Sequence, residues 1–433
     1  MRLMNILIYT LKSVAFAITE PYMAILLILL AFILYRRNVK TTMMQKMIMG
    51  ERLDTPFELT ISQVVIGIFA GTVASLIMSY LGVIFDESSS IDLLFLASVL
   101  FMFYNPRFVC FAYSGAILGA LSLVFTYITY FSGNPAWNLL KLDIPALMTM
   151  VAVLHFVEGL VILVDGKRGS MPVFTSRDDT IIGGFAMQRY WAIPVAIFFL
   201  IQDRSLATAA WQVPLPAWWP IIQTSIPLSI LKNAVLMLVP FYGIIGYSSV
   251  TFTKDKDKKI QESGILIIGY SIVLFGLAQL AQINLFFKLF VLVFSIAAHE
   301  GIILYQRNNE LKGKPKYISN SDGVMVLEVA PGSPAYEMGI KSGDILLKIN
   351  DRFIENEEVI AETIREGSNF LWFNVKKENG AYEQVSYNRM NYEKRLGMVL
   401  VPKVMPKDSM VVKFNENSFK DVLNKIKKKD NDD

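Results

Sequence analysis

Through residue 305 the chain returns repeatedly to apolar runs of membrane-crossing length, and no other feature limits its fold so strongly. About 30 Å of hydrocarbon takes roughly 20 helical residues to cross, and a spanning segment must satisfy its own backbone hydrogen bonds, so helices are the default. Nine segments fit or come close: 20–35, 61–85, 91–104, 108–131, 144–164, 190–201, 233–253, 263–283 and 286–305. The runs at 91–104 and 190–201 are short, so each either recruits flanking residues or folds back as a re-entrant segment. Residues 1–19 carry Arg2 and Lys12 and no small-residue cleavage site. They fit an interfacial or partly inserted helix rather than a signal peptide. If that helix crosses, the N-terminus changes sides.

Charge divides the chain at the same point. Residues 1–305 hold 20 Lys/Arg and 17 Asp/Glu, whereas the 128 residues of 306–433 hold 21 and 20. A soluble single-domain enzyme is excluded by the first part. A disulfide-stapled secreted protein is excluded by the single Cys110. Nucleic acid is not an expected partner, because neither part has the basic excess that phosphate neutralisation requires. Loops 36–60, 105–107, 165–189, 254–261 and 306–316 together hold 18 Lys/Arg, against three in the alternate connections. That asymmetry predicts a cytoplasmic location for everything after residue 305. Loop 165–190, with Lys167, Arg168, Arg177 and Arg189 against Asp165, Asp178 and Asp179 and with Gly183-Gly184 as a pivot, is either a plain cytoplasmic connection or a docking surface for another protein.

Beyond a flexible connector the pattern changes to short strands. Val324–Val329 reads as a strand, Pro334–Gly339 as one helical turn, and Asp344–Asn350 as a second strand. Glu355–Arg365 is an amphipathic helix with Val359, Ile360, Thr363 and Ile364 on its apolar side. Phe370–Lys377 and Ala381–Asn388 flank the hairpin signal Asn379-Gly380. This succession, with the run EVAPGSPAYEMGIKSGDILLKIND, resembles a bacterial PDZ domain of the circularly permuted type. The resemblance implies a carboxylate-binding loop at Leu396, Gly397 and Met398, continuing through Val399, and a groove closed by Val359 and Ile360 of the helix. The alternative reading of residues 396–401 is a closing core strand with a degenerate groove. A side chain at Gly397 is expected to block the groove and leave the domain folded.

The expected organisation is an N-terminal helix (1–19), a polytopic domain (20–305), a linker (306–321), a PDZ domain (322–404) and a basic amphipathic tail (405–433). The fold class is an all-α polytopic membrane bundle plus a small cytoplasmic α+β PDZ domain. The tail either lies on anionic lipid or packs weakly on the PDZ domain.

Four ionisable residues fall inside spans: His155 and Glu158, one helical turn apart, and His299-Glu300. They form an intramembrane polar cluster if the two spans meet at one depth. Site-two proteases carry His-Glu-x-x-His on one helix, but Ile303 stands in the place of the second histidine, and Asp165-Gly166 comes before the His-Glu element rather than after it. The expectation is therefore no catalytic residues, no metal and no cofactor, with a helix-packing role for the four and a different metal or proton site as the alternative.

The arrangement as a whole, with the stretch RGSMPVFTSR…IIGGFAMQRYWAIPV, resembles the MinJ family of division topological determinants. That resemblance implies a non-enzymatic adaptor at septum and poles, whose partners are a DivIVA-like scaffold, MinD and MinC, with homo-oligomers possible. A site-two-type protease or pseudoprotease, and a transporter or sensor with a PDZ appendage, remain the alternatives.

Overall fold

The computed structural model describes residues 2–403 except 51–52, 105–109, 179, 202–215, 217, 225, 228–234, 368 and 389–394. The tail 405–433 lies outside the described residues. Six helices are long and apolar enough to cross a membrane: α2 (Pro21–Met49), α3 (Pro56–Leu81), α5 (Phe111–Ser132), α6 (Ile144–Asp165), α7 (Lys256–Leu280) and α8 (Leu285–Lys312). Two shorter helices, α1 (Arg2–Thr19) and α4 (Asp92–Tyr104), join them. The outer faces expose Ile25, Ile28, Phe32, Phe69, Leu100, Ile272 and Val293. Apolar area on that scale belongs against lipid, as in a multi-pass membrane protein. The helix ends follow local chemistry. Thr55 and Glu58 form a capping box around Pro56 at the start of α3, and Gly82, at φ 88°, closes it.

Inside this helical shell the structure corrects two of the expected spans. Where helices are expected at 190–201 and 233–253, the described residues form strands: β3 (Thr180–Ile201) pairs antiparallel with β4 (Val235–Thr251) in unbroken register from Phe185↔Thr251 to Ile201↔Val235. Short β1 (Ile84–Asp86) runs parallel to the far end of β3, and β2 (Met171–Arg177) pairs with its near end. Odd residues of β3, Trp191 to Phe199, enter the main core with α6. Tyr190 and Ala192 meet Leu30 and Leu34 of α2 on the opposite face. A strand buried on both faces is apolar throughout, so its two-residue period is invisible and its length mimics a helix. Pro194, Pro240, Gly243 and Gly246 are the local features that count against helix.

Two strands can sit in an apolar body only if their outer edges are served. Helix α3 serves the open middle of β3. A Cβ on Gly67 would lie 2.1 Å from the Ala192 carbonyl oxygen, and one on Gly71 equally close to that of Pro194. One turn on, Ser75 Oγ accepts the Ala196 N–H at 2.8 Å. Pro194 has no N–H to satisfy and lies on this edge, as strand prolines do. On the β4 edge, Ser98 Oγ of α4 accepts from Ile244 N (3.4 Å), and Ser13 of α1 donates to the Leu238 carbonyl (3.3 Å). Thus α1 is packed into the body, and Thr10 bonds Ser79 of α3 at 3.0 Å.

Buried ion pairs fix one end of the body. Asp165, the last residue of α6, accepts from Arg189 Nε (3.0 Å) and from Trp191 Nε1 (2.8 Å), while Arg189 also reaches Ser62 at 2.6 Å. Glu310 of α8 takes the N–H groups of Phe252 and Thr253 (3.0 and 3.1 Å) and Lys259 Nζ (3.2 Å). The Asp165-Gly166 element is therefore a structural anchor.

The C-terminal unit contains β5 (Val324–Val329), α9 (Pro334–Glu337), β6 (Ile345–Ile349), β7 (Arg352–Phe353), α10 (Glu357–Arg365), β8 (Phe370–Lys376), β9 (Tyr382–Asn388) and β10 (Met398–Leu400), with sheet order β10-β5-β6-β8-β9. These elements agree with those expected to within about two residues, apart from the shorter β10. The expected linker does not hold. Residues 306–312 continue α8, and Lys316 and Tyr317 are stitched to the body through Lys316 N to Phe252 O (2.8 Å) and Gly183 N to Tyr317 O (2.9 Å). Nor is 165–190 an open loop with a glycine pivot. It is the β2–β3 hairpin, and its Gly183 is a point of close approach, where a Cβ would lie 2.9 Å from Val401 and 3.0 Å from Leu327 of the PDZ domain. The chain's own PDZ domain covers that surface.

Two substitutions test this body. Asp165→Ala leaves Arg189 buried without its carboxylate and should cost about 3–5 kcal/mol, whereas Lys167→Ala, from an exposed pair with Asp257, should cost under about 1 kcal/mol. Thermal unfolding in detergent, followed by tryptophan fluorescence, distinguishes them. Gly71→Val should yield no folded protein by gel filtration, since its Cβ has no room beside the Pro194 carbonyl.

Candidate functional site

Two places combine chemistry with geometry. The first is the PDZ edge. Among the described residues, strand β10 is the terminal strand of its sheet and pairs only with β5, with Met398 opposite Val329 and Leu400 opposite Val326. Gly397 O accepts from Ala330 N (2.7 Å) and Val401 N donates to Met325 O (2.8 Å), so residues of that parity face β5. Alternation turns the backbone groups of Met398 toward the other edge, where a peptide strand can add.

The side chains divide between two faces. Leu396, Met398 and Leu400, half-buried, pack with Val359, Ile360 and Ile364 of α10 around the PDZ core. Val399 and Val401 face the other way and join Met49, Phe185 and Tyr317 of the membrane body. Of the six residues expected at a groove, Leu396 and Met398 pack beside Val359 of α10, with Gly397 in the turn before β10. Val399 belongs to the body contact, and Ile360, 4% exposed, belongs to the core. The expectation for Gly397 is likewise corrected. Its φ is 69°, and a Cβ there would lie 2.3 Å from Ser333 Cβ, so a side chain would strain the turn itself.

The body holds the outer face of this domain. Lys256 pairs with Glu328 of β5 and lies 4.8 Å above the Phe185 ring. Lys316 Nζ reaches Asp255 (3.1 Å) and Glu378 (3.2 Å). Partial burial disfavours the Lys316 charge, yet Tyr317 and the two carboxylates together hold its pKa above the ordinary lysine value. Asp255 is held below the usual carboxylate range: its partial desolvation is outweighed by hydrogen bonds from Lys258 N and Lys316. The turn leading into β10 thus sits at the end of a transmembrane helix, with the Arg395 side chain against Gly50, the C-cap of α2.

The second place is the intramembrane cluster. His155 of α6 and His299 of α8 meet as expected, ring centroids 5.7 Å apart, and Glu158 lies 4.0 Å from His155 Nε2. Glu300 turns aside to the Tyr113 hydroxyl. The sequence expectation omitted Cys110, the N-cap of α5, whose Sγ lies 2.9 Å from His155 Nε2 and 3.4 Å from His299 Nε2. The signal available was a lone thiol in an apolar run, read there only for the absence of a disulfide partner. Tyr270 of α7 was missed as well. It packs edge-on against both imidazoles and donates to Ser295 O at 2.9 Å.

Comparison with known proteins agrees with the fold. Residues 325–371 match the PDZ domain family. Over 262 residues, 59% of this chain, the sequence is 22% identical to the cell division topological determinant MinJ of Bacillus subtilis (strain 168). The match spans 62% of that relative, less than two thirds of its length. The chain is therefore a multi-pass membrane protein with a C-terminal PDZ domain and is similar in sequence to MinJ.

Proposed function

We propose that this protein is a non-enzymatic membrane adaptor in bacterial division-site selection. In this reading it sits in the cell membrane at septum and poles and links a DivIVA-like scaffold to the MinC–MinD inhibitor. The observation that carries the proposal is the PDZ edge strand β10, one face fixed to the membrane body and the other turned to α10 with an unpaired backbone edge. A groove held in one orientation at a membrane surface suits a protein whose work is to position others. Ordering the domain in advance also lowers the entropy cost of capture. Similarity to MinJ supports the division context, and the 18-to-three loop asymmetry supports a cytoplasmic PDZ domain.

Orientation is tested at Asp178, whose side chain is 95% exposed in the β2–β3 turn. Asp178→Cys should react with an impermeant maleimide only after lysis, with the wild-type chain and its half-buried Cys110 as the blank. Labelling in intact cells would put the PDZ domain outside and sink the proposal.

The groove is tested at Val359, on the rim of α10 rather than in its core. Val359→Lys sets a charge where a peptide side chain would dock. It should reduce copurification of partners with full-length protein at least about tenfold, about 1.4 kcal/mol, with an unchanged gel-filtration profile. Undiminished copurification of MinD or a DivIVA-like protein would remove the groove from the mechanism.

A further inference from the structure

We propose that Cys110, His155 and His299 form a zinc site within the membrane body, tying α5, α6 and α8 together, with the Glu158 carboxylate beside His155. This goes beyond the adaptor reading and reverses the sequence expectation that no metal is bound.

The donor atoms of the three residues lie within 4.8 Å of one another. Tetrahedral zinc, with bonds of about 2.0–2.3 Å, holds its ligand atoms about 3.3–3.5 Å apart. Sγ to His299 Nε2 is 3.4 Å, Sγ to His155 Nε2 is 2.9 Å, and Glu158 Oε2 to His155 Nε2 is 4.0 Å. These separations bracket the required value, and rotamer-scale movements reconcile them.

The tautomer supplies independent evidence. His155 Nδ1 lies 2.7 Å from the Val151 carbonyl oxygen, which can only accept, so Nδ1 carries the proton. In the neutral ring Nε2 then presents its lone pair to Cys110, where it accepts the thiol hydrogen or, with the thiol deprotonated, can bind a metal. Metal-ligating histidines are held in this way by a backbone carbonyl. His155 is fully buried and His299 nearly so. Tyr270 covers the cluster edge-on, and Tyr113 holds Glu300 away from it.

Two imidazoles at membrane depth are costly to bury and mark a functional site by default. As a thiolate–imidazole set they suit a d10 ion. The geometry also separates this site from a protease motif. The two histidines come from different helices, the third ligand is sulfur, and Glu300 is engaged elsewhere.

The test is the metal content of full-length protein purified in detergent without chelator. About one zinc per chain is expected by inductively coupled plasma mass spectrometry, retained through gel filtration. Cys110→Ser and His299→Asn should each lower it at least about tenfold, while Glu300→Gln should leave it intact. Cobalt substituted for zinc should give a thiolate-to-metal charge-transfer band that Cys110→Ser abolishes, a readout that does not depend on how well the variant retains zinc. Wild-type protein that is metal-free and takes up neither zinc nor cobalt would show a cysteine–histidine hydrogen-bond cluster and overturn the proposal. Copper in place of zinc, or full zinc in both ligand variants, would overturn it as well.

Discussion

The structure depends on a backbone problem, two long strands inside an apolar body. An unserved N–H or C=O in hydrocarbon costs several kcal/mol, so the ribbon β3–β4 exists only because helices lie along its edges. Gly67, Gly71 and Ser75 fall on successive turns of α3 and meet the backbone at Ala192, Pro194 and Ala196. Small residues permit the approach, and a hydroxyl supplies the acceptor that glycine lacks. Helices α1 and α4 do the same for β4 with Ser13 and Ser98.

The ribbon also explains how the membrane part and the PDZ domain form one object. Twenty-two residues of strand, about 70 Å at 3.3 Å each if straight, exceed the about 30 Å of hydrocarbon. The near end of β3 therefore extends to the PDZ side. There Gly183 meets Tyr317, Leu327 and Val401, and the Asp165–Arg189 and Glu310–Lys259 nodes clamp the surrounding helix ends. A domain held this firmly presents β10 and α10 in one orientation relative to the helical body.

Much of the PDZ domain was legible because its signals are local. Gly339 and Gly343 at positive φ, the Asn379-Gly380 hairpin and the apolar face of 357–365 each act within a few residues. Leu396 and Met398 were placed at the groove for the same reason. Val399 was misplaced because one residue along a strand reverses the face, and which face meets the body depends on Met49 and Phe185, far away in sequence.

The sequence by itself determined the long apolar helices, the change in charge density after residue 305 and the PDZ succession, since these rest on run length, composition and short spacing. Only the tertiary structure decided that 190–201 and 235–251 are strands, that Cys110 joins the two histidines, and that the PDZ domain is docked rather than tethered. The physical reason is common to all three. A segment buried on every side carries no period of its own, and its conformation is set by partners such as Gly71, His155 or Gly183 that lie about 45 to more than 200 residues away along the chain and within a few ångströms in space.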